Sequence, residues 1–338
     1  MFPLSTLFKN NLVFLISIVV ILILGAAFQT WLDLYFYKIL VDVGIAVILA
    51  VSLNLINGIT GQFSLGHAGF MGVGAYTAAA FSMLLVQPWL QPMHLMGVSA
   101  TVTNGILVGV AIVLGGFCAA IAGLVVGIPT LRLKGDYLAI ATLGFGEIIR
   151  IVIQNMDAVG GPRGMGGIPS LSNFFWVYAW MLVCIVVVAR LACSVKGKAF
   201  FAIREDEFAA STLGIDTTRY KVIAFVTGSF FAGLAGGLFA HSSTGYINPS
   251  QFDTQKSIEI VVMVVLGGLG SISGAIIAAV ALTILPEALR GFSEYRMVAY
   301  SLLLIIVMLT RPQGLMGMRE IHWPRWLSRP WHKDPTPG

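Results

Sequence analysis

From Val43 to Leu131 the chain carries no Lys, Arg, Asp or Glu, an unbroken run of 89 residues. Water-soluble domains carry about a quarter charged residues, so a stretch of this length is stable only where lipid replaces water. Across all 338 residues 57% are hydrophobic and 10% charged, which leaves no room for a large soluble domain. The chain therefore reads as all-α, a polytopic membrane helical bundle, because only helices and closed barrels satisfy their own backbone groups in lipid.

Apolar stretches of spanning length fall near 12–29, 39–56, 64–86, 105–128, 137–155, 174–192, 221–243, 257–270, 272–289 and 297–311. This predicts about ten spans, within a range of eight to ten. Glycines interrupt the third, and the eighth and ninth run together without charge from Ile260 to Leu285. Re-entrant or half-spanning pieces fit either place if protein surrounds them. Residues 12–28 follow one Lys and end in Gly25-Ala26-Ala27, as a signal peptide would, but the run is long for one and reads as an uncleaved first helix.

Charge sets the expected orientation. With the amino terminus cytoplasmic, inner segments hold Lys9, Arg132, Lys134, Arg190, Lys196, Lys198, Arg204, Arg219, Lys221, Arg311, Arg319, Arg325, Arg329 and Lys333. Outer segments then hold only Lys38, Arg163, Lys256, Arg290 and Arg296, the asymmetry of a positive-inside topology with both termini cytoplasmic. The same bias accounts for the net charge of +5 without nucleic acid. The expected division is a transmembrane domain over 1–311, carrying a polar segment at 193–220, and a cytoplasmic tail over 312–338.

Enzyme chemistry finds little support. GGPRGMGG at 160–167 lacks the Gly-Lys-Ser/Thr ending of a phosphate-binding loop. The five histidines are scattered, no nucleophile stands near a base, and Cys118, Cys184 and Cys193 match no zinc site or disulfide framework. Ionisable groups inside spans matter more, because isolated charge in lipid is costly. Glu147 and Arg150, three apart on one predicted helix, form either a structural pair or a pore-lining or gating element. Lys38 with Asp42 and Lys256 with Glu259 read as interfacial pairs. Asn54, Asn57, Gln62, Ser64 and His67 cluster where the second span turns into the third. They form either a self-satisfied turn or a set of substrate contacts.

Small residues recur at every fourth position, as Gly115, Ala119, Gly123 and Gly127, as Gly228, Ala232 and Gly236, and as Gly270, Gly274 and Ala278, which predicts close helix packing. Two glycine-rich membrane elements, 64–76 and 267–279, hold comparable places in the two halves, as an internal repeat would.

The polar segment KGKAFFAIREDEFAASTLGIDTTRYK holds nine charged residues from Lys196 to Lys221. Glu205, Asp206 and Glu207 suit the first turn of a short exposed helix, Gly214 its left-handed stop, and Asp216 with Thr217 the cap of the next span. A helix tied this way to a membrane segment moves that segment when pushed.

Four ordered blocks, LNLINGITGQFSLGHAGFMGVGAYTAA, LRLKGDYLAIATLGFGEIIR, AIREDEFAASTLGIDTTRYKVIAF and VVLGGLGSISGAI, resemble the LivM-type permease subunits of branched-chain amino acid ABC importers. The resemblance covers residues 40 to 310. It implies a many-helix fold related to vitamin B12 permeases, in a bacterial inner membrane. The implied partners are a second, related permease, two cytoplasmic ATPase subunits that use the ATP, and a periplasmic substrate-binding protein; no cofactor is implied for this chain. It also implies that Arg204 to Gly214 form the coupling helix, with Arg204, Glu205, Asp206, Glu207, Ala209, Ala210 and Gly214 addressing an ATPase. Glu207, Ala209, Ala210 and Gly214 are similar to the Glu-Ala-Ala-x-x-x-Gly motif of importer permeases. Phe208 departs from it by intervening, and the downstream Ile-x-Leu-Pro is absent. Related permeases carry urea, short amides or other amino acids, and an ion-coupled secondary transporter is the alternative from another class.

Overall fold

The computed structural model describes residues 33–86, 100–133, 135–170, 172–242 and 245–292, with short pieces at 301–302, 305, 309–310 and 314–317. The expected span at 12–29, most of the span at 297–311 and most of the tail at 312–338 lie outside the described residues.

Ten α-helices follow one another in these residues: α1 (Leu34–Asn54), α2 (His67–Phe81), α3 (Ala100–Thr130), α4 (Asp136–Gln154), α5 (Phe174–Ala192), α6 (Val195–Glu205), α7 (Glu207–Thr212), α8 (Thr217–Ala240), α9 (Thr254–Gly267) and α10 (Ile272–Ala288). Wider π turns at Leu55–Ile59 and Ser82–Val86 prolong α1 and α2. A two-residue antiparallel bridge, Met165–Gly166 with Tyr246–Ile247, joins two loops. Among the described residues four helices are long and apolar enough to cross a bilayer: Leu34–Ile59, Leu107–Thr130, Phe174–Ala192 and Thr217–Ala240. The 14-residue α9 extends only about 21 Å and falls short of the hydrocarbon core.

Short polar residues start the helices where the chain emerges from a loop. Asn173, Ser194, Asp206, Asp216, Asp253 and Ser271 each accept a backbone N–H in the first turn of the helix they precede.

The centre of the bundle is α8 packed along α2 and α3, with α1 between α5, α8 and α10. Glycine sets the α2–α8 distance. A β-carbon on Gly74 would collide with the Gly233 backbone, and one on Gly236 with the Met71 carbonyl. The predicted row on α3 packs there, with Gly115 on Gly74, Ala119 on Gly233 and Gly123 on Ser229, whereas Gly228 and Gly236 of the α8 row lie against Ile56 and Met71 instead. Lipid offers no hydrophobic gain for such contacts, so dispersion between closely approaching backbones holds them. On the opposite side of α3, Phe117, Ile121 and Val125 form an exposed apolar stripe.

Candidate functional site

The polar cluster expected between the second and third spans surrounds a non-helical stretch, Gly61–Gly66, between the π turn and α2. Two asparagines fix it. Asn57 Nδ2 donates to Ser64 O over 3.2 Å while Asn57 Oδ1 accepts from Ser64 N at 3.0 Å. Asn54 makes the same kind of clamp at long range: Nδ2 donates to Ser271 O at 3.0 Å and Oδ1 accepts from Gly270 N at 2.9 Å. Asn54 thereby joins the first glycine break to a second, Gly268–Ser271, between α9 and α10. Leu65 N donates to Thr142 Oγ1 of α4, and Ala68 N to Ser257 Oγ of α9.

His67 is fully buried and its Nε2 lies 2.9 Å from Ser52 Oγ. The Ser52 hydroxyl donates to Leu49 O, so Nε2 is assigned as the protonated nitrogen and Nδ1 as an acceptor with no partner. Gln62 and Ser64 behave unlike the asparagines. Gln62 is 3% exposed and Ser64 1%, yet neither atom of the Gln62 amide nor the Ser64 hydroxyl has a hydrogen-bond partner among the described residues. Phe63, between them, is 40% exposed. The stretch thus turns polar side chains inward and an aromatic one outward.

The polar segment differs from its expectation in one respect. A single short helix led by Glu205, Asp206 and Glu207 is replaced by two, because Asp206 takes an extended conformation (φ −155°, ψ 108°) and caps α7. Its Oδ1 accepts from Phe208 N at 2.8 Å and Ala209 N at 3.1 Å. Glu205 therefore ends α6, and only Glu207 lies in the first turn of α7. Gly214, at φ +82°, ends that helix in the left-handed region, and Asp216 Oδ1 accepts from Arg219 N to cap α8.

Contacts with the bundle divide the segment's residues. Glu207 pairs with Lys221 of α8 at 2.7 Å, and Lys221 is buried. Ala210 is buried, while Ala209 is exposed beside Phe208 and Leu213, which are 76% and 81% exposed. Arg204 reaches the other way. A β-carbon on Gly61, itself at φ +73°, would stand 3.0 Å from Arg204 Cγ, and Arg204 Nη1 lies against Gly270, buried and without a partner. One side chain thus touches both glycine breaks.

Glu147 and Arg150 pair as their spacing predicts, Arg150 Nε donating to Glu147 Oε2 at 2.7 Å. Glu147 Oε1 also accepts from Thr254 N at 3.1 Å and Thr254 Oγ1 at 2.6 Å, placing a carboxylate at the positive end of α9. These contacts lock α4 to α9. Lys256 and Glu259 pair at 2.9 Å, whereas no ion pair joins Lys38 to Asp42 among the described residues. Sequence reading misses the roles of Lys221 and Thr254, whose partners are distant in the chain, and it treats Phe208 as an intrusion rather than an outward-facing residue.

An all-α membrane bundle with a polar segment pinned to two internal breaks is the build of a transport subunit. The chain belongs to the family described as branched-chain amino acid transport system / permease component, whose model matches residues 35–310. It is 37% identical over 309 residues to the high-affinity branched-chain amino acid transport system permease protein LivM of Salmonella typhimurium, covering 81% of this chain and 68% of the relative. The Escherichia coli LivM protein is 36% identical over the same shares. The permease protein LivH of that transport system in E. coli is 28% identical over 81% of this chain and 92% of its own length. No solved structure matches.

Proposed function

We propose that this chain is the membrane permease subunit of an ATP-binding-cassette importer that moves branched-chain amino acids into the cytoplasm. Family membership and the LivM relatives support the substrate class. The observation that carries the mechanism is the double attachment of the 193–220 segment. Glu207–Lys221 ties α7 to α8, and Arg204 packs the end of α6 against Gly61 and Gly270.

In this reading the segment faces the cytoplasm, as do both termini, and the chain makes about ten spans in the manner of vitamin B12 permeases. Exposed Phe208 and Leu213, together with exposed Glu205 and Asp206, form the face offered to one of two ATPase subunits. ATP is consumed there, and the chain itself binds no cofactor. A second, related permease completes the pathway, and a periplasmic binding protein delivers the substrate. Closure of the ATPases displaces α7, and the two ties pass that displacement to α8 and to both glycine breaks. Glu147, the mid-helix carboxylate of α4, is engaged by Arg150 and Thr254, which does not favour it as an ion-coupling site.

Reconstitution tests the reading. Proteoliposomes holding the full complex should accumulate leucine, isoleucine and valine only when ATP, the ATPases and the binding protein are all present. Gradient-driven uptake by this chain alone would establish ion-coupled transport instead, and two-way flux without nucleotide would establish a channel.

A further inference from the structure

A free amino acid crosses a membrane as a zwitterion, and both of its charged groups lose water on the way. Burying either without replacement hydrogen bonds is prohibitive. A pathway through this chain therefore needs donors for a carboxylate and acceptors for an ammonium, buried and uncommitted.

We infer that the inward face of Gly61–Gly66, formed by Gln62 and Ser64 and continued by His67, binds the α-carboxylate and α-ammonium of the transported amino acid. Buried polar groups in folded proteins are almost always partnered. Here Gln62 Nε2, Gln62 Oε1, Ser64 Oγ and His67 Nδ1, within six residues, are all buried and have no partner among the described residues. Their neighbours show that this is not loose packing. Asn57 holds the Ser64 backbone by two hydrogen bonds, Thr142 holds Leu65 N, and Ser52 holds the other nitrogen of His67. The backbone is fixed and the side chains are left unused, which is the preorganisation a ligand site requires.

The chemistry of the idle atoms selects the ligand. Gln62 Nε2 and the Ser64 hydroxyl donate, as a carboxylate requires, and α2 begins immediately afterwards at an N-cap, Gly66, that offers no side-chain acceptor. A carboxylate lying against that helix start gains from its partial positive charge. Gln62 Oε1 and His67 Nδ1 accept, as an ammonium requires. The segment lies within the charge-free run from Val43 to Leu131, so its own residues bring no net charge. Donors and acceptors side by side fit a molecule carrying one charge of each sign, and only the stem of Arg204 lies on Gly61 while its guanidinium lies at Gly270. This assignment rests on the amino-acid permease reading above and adds the residues that meet the head group.

The test uses the whole reconstituted importer and reads radiolabelled leucine taken up per ATP hydrolysed, together with the melting temperature of the complex. Gln62→Leu keeps the volume and removes the idle amide. Loss of a hydrogen bond to a charged group costs about 1.5–3 kcal/mol, so uptake per ATP should fall at least about tenfold. The melting temperature should hold or rise, since an unpaired buried amide has been replaced by an apolar group. Gln62→Asn, which retains an amide, should recover part of the ratio. Ser64→Ala, which removes one oxygen, should lower the ratio in the same direction and decides the matter if Gln62→Leu fails to assemble. Wild-type ratios in Gln62→Leu and Ser64→Ala would overturn the site. A wild-type complex that imports no leucine would overturn the amino-acid reading, and this site with it.

Discussion

The two glycine breaks look alike in sequence and are finished differently. At Gly268–Ser271 the break's own side-chain hydroxyl is engaged, and the unpartnered atom beside it, Arg204 Nη1, belongs to α6. Asn54 takes Gly270 N and Ser271 O, and Ser271 Oγ accepts from Gly274 N to cap α10. At Gly61–Gly66 the backbone is held as firmly, but α2 starts without a side-chain cap, and Gln62 and Ser64 keep unpartnered polar atoms. One break is closed structure. The other holds buried hydrogen-bonding capacity in reserve. Glycine content shows where a membrane helix stops, and only the full set of hydrogen bonds separates a structural turn from an available site.

That contrast breaks most directly at the residue joining the two. Asn54→Leu strands Gly270 N and Ser271 O at about 1–3 kcal/mol for each buried group. This substitution should lower the thermal stability of the purified complex further than any change at Glu207, Ser271 or Phe208, read by melting in detergent. Next is the tie to α8. Glu207→Gln leaves Lys221 buried without a counter-charge, and breaking a buried pair from one side costs up to about 3–5 kcal/mol. The 31% exposure of Glu207 places the effect below that ceiling. Lys221→Met should be milder because it removes the buried charge itself, and comparing the two melting curves checks the order.

A smaller effect compares the breaks residue for residue. Ser271→Ala removes an N-cap and should cost about 1 kcal/mol, whereas Ser64→Ala removes an unpartnered hydroxyl and should leave stability unchanged. Equal losses in the two would erase the distinction between the breaks. Least of all should Phe208→Ser disturb the fold, since that side chain is 76% exposed. It should instead weaken retention of the ATPase subunits on a tagged permease, measured by co-purification.

Local chemistry makes much of this legible in the sequence. The span at 174–192 is bounded correctly because polar residues end it on both sides, and Gly214 with Asp216 declares a stop and a cap within three residues. The break at Asp206 is hidden, since three acidic residues in a row fit one helix start as well as two helices. Long-range partners are also hidden. Nothing near Glu207 announces Lys221, and nothing near Glu147 announces Thr254, because those pairings depend on which helices become neighbours. The polar cluster reads as one unit with two open interpretations. The structure divides it, with Asn54 and Asn57 committed to backbone and Gln62 and Ser64 uncommitted. That difference requires knowing every neighbour.

Arg204 decides whether movement of the 193–220 segment reaches the membrane breaks, because its stem lies on Gly61 and its guanidinium on Gly270. Leucine imported per ATP hydrolysed should be measured for Arg204→Ala in the reconstituted complex, with ATPase retention checked in the same preparation. If the segment drives the breaks through Arg204, the complex should still hold its ATPases and hydrolyse ATP but import little leucine for each ATP consumed. An unchanged ratio would contradict it.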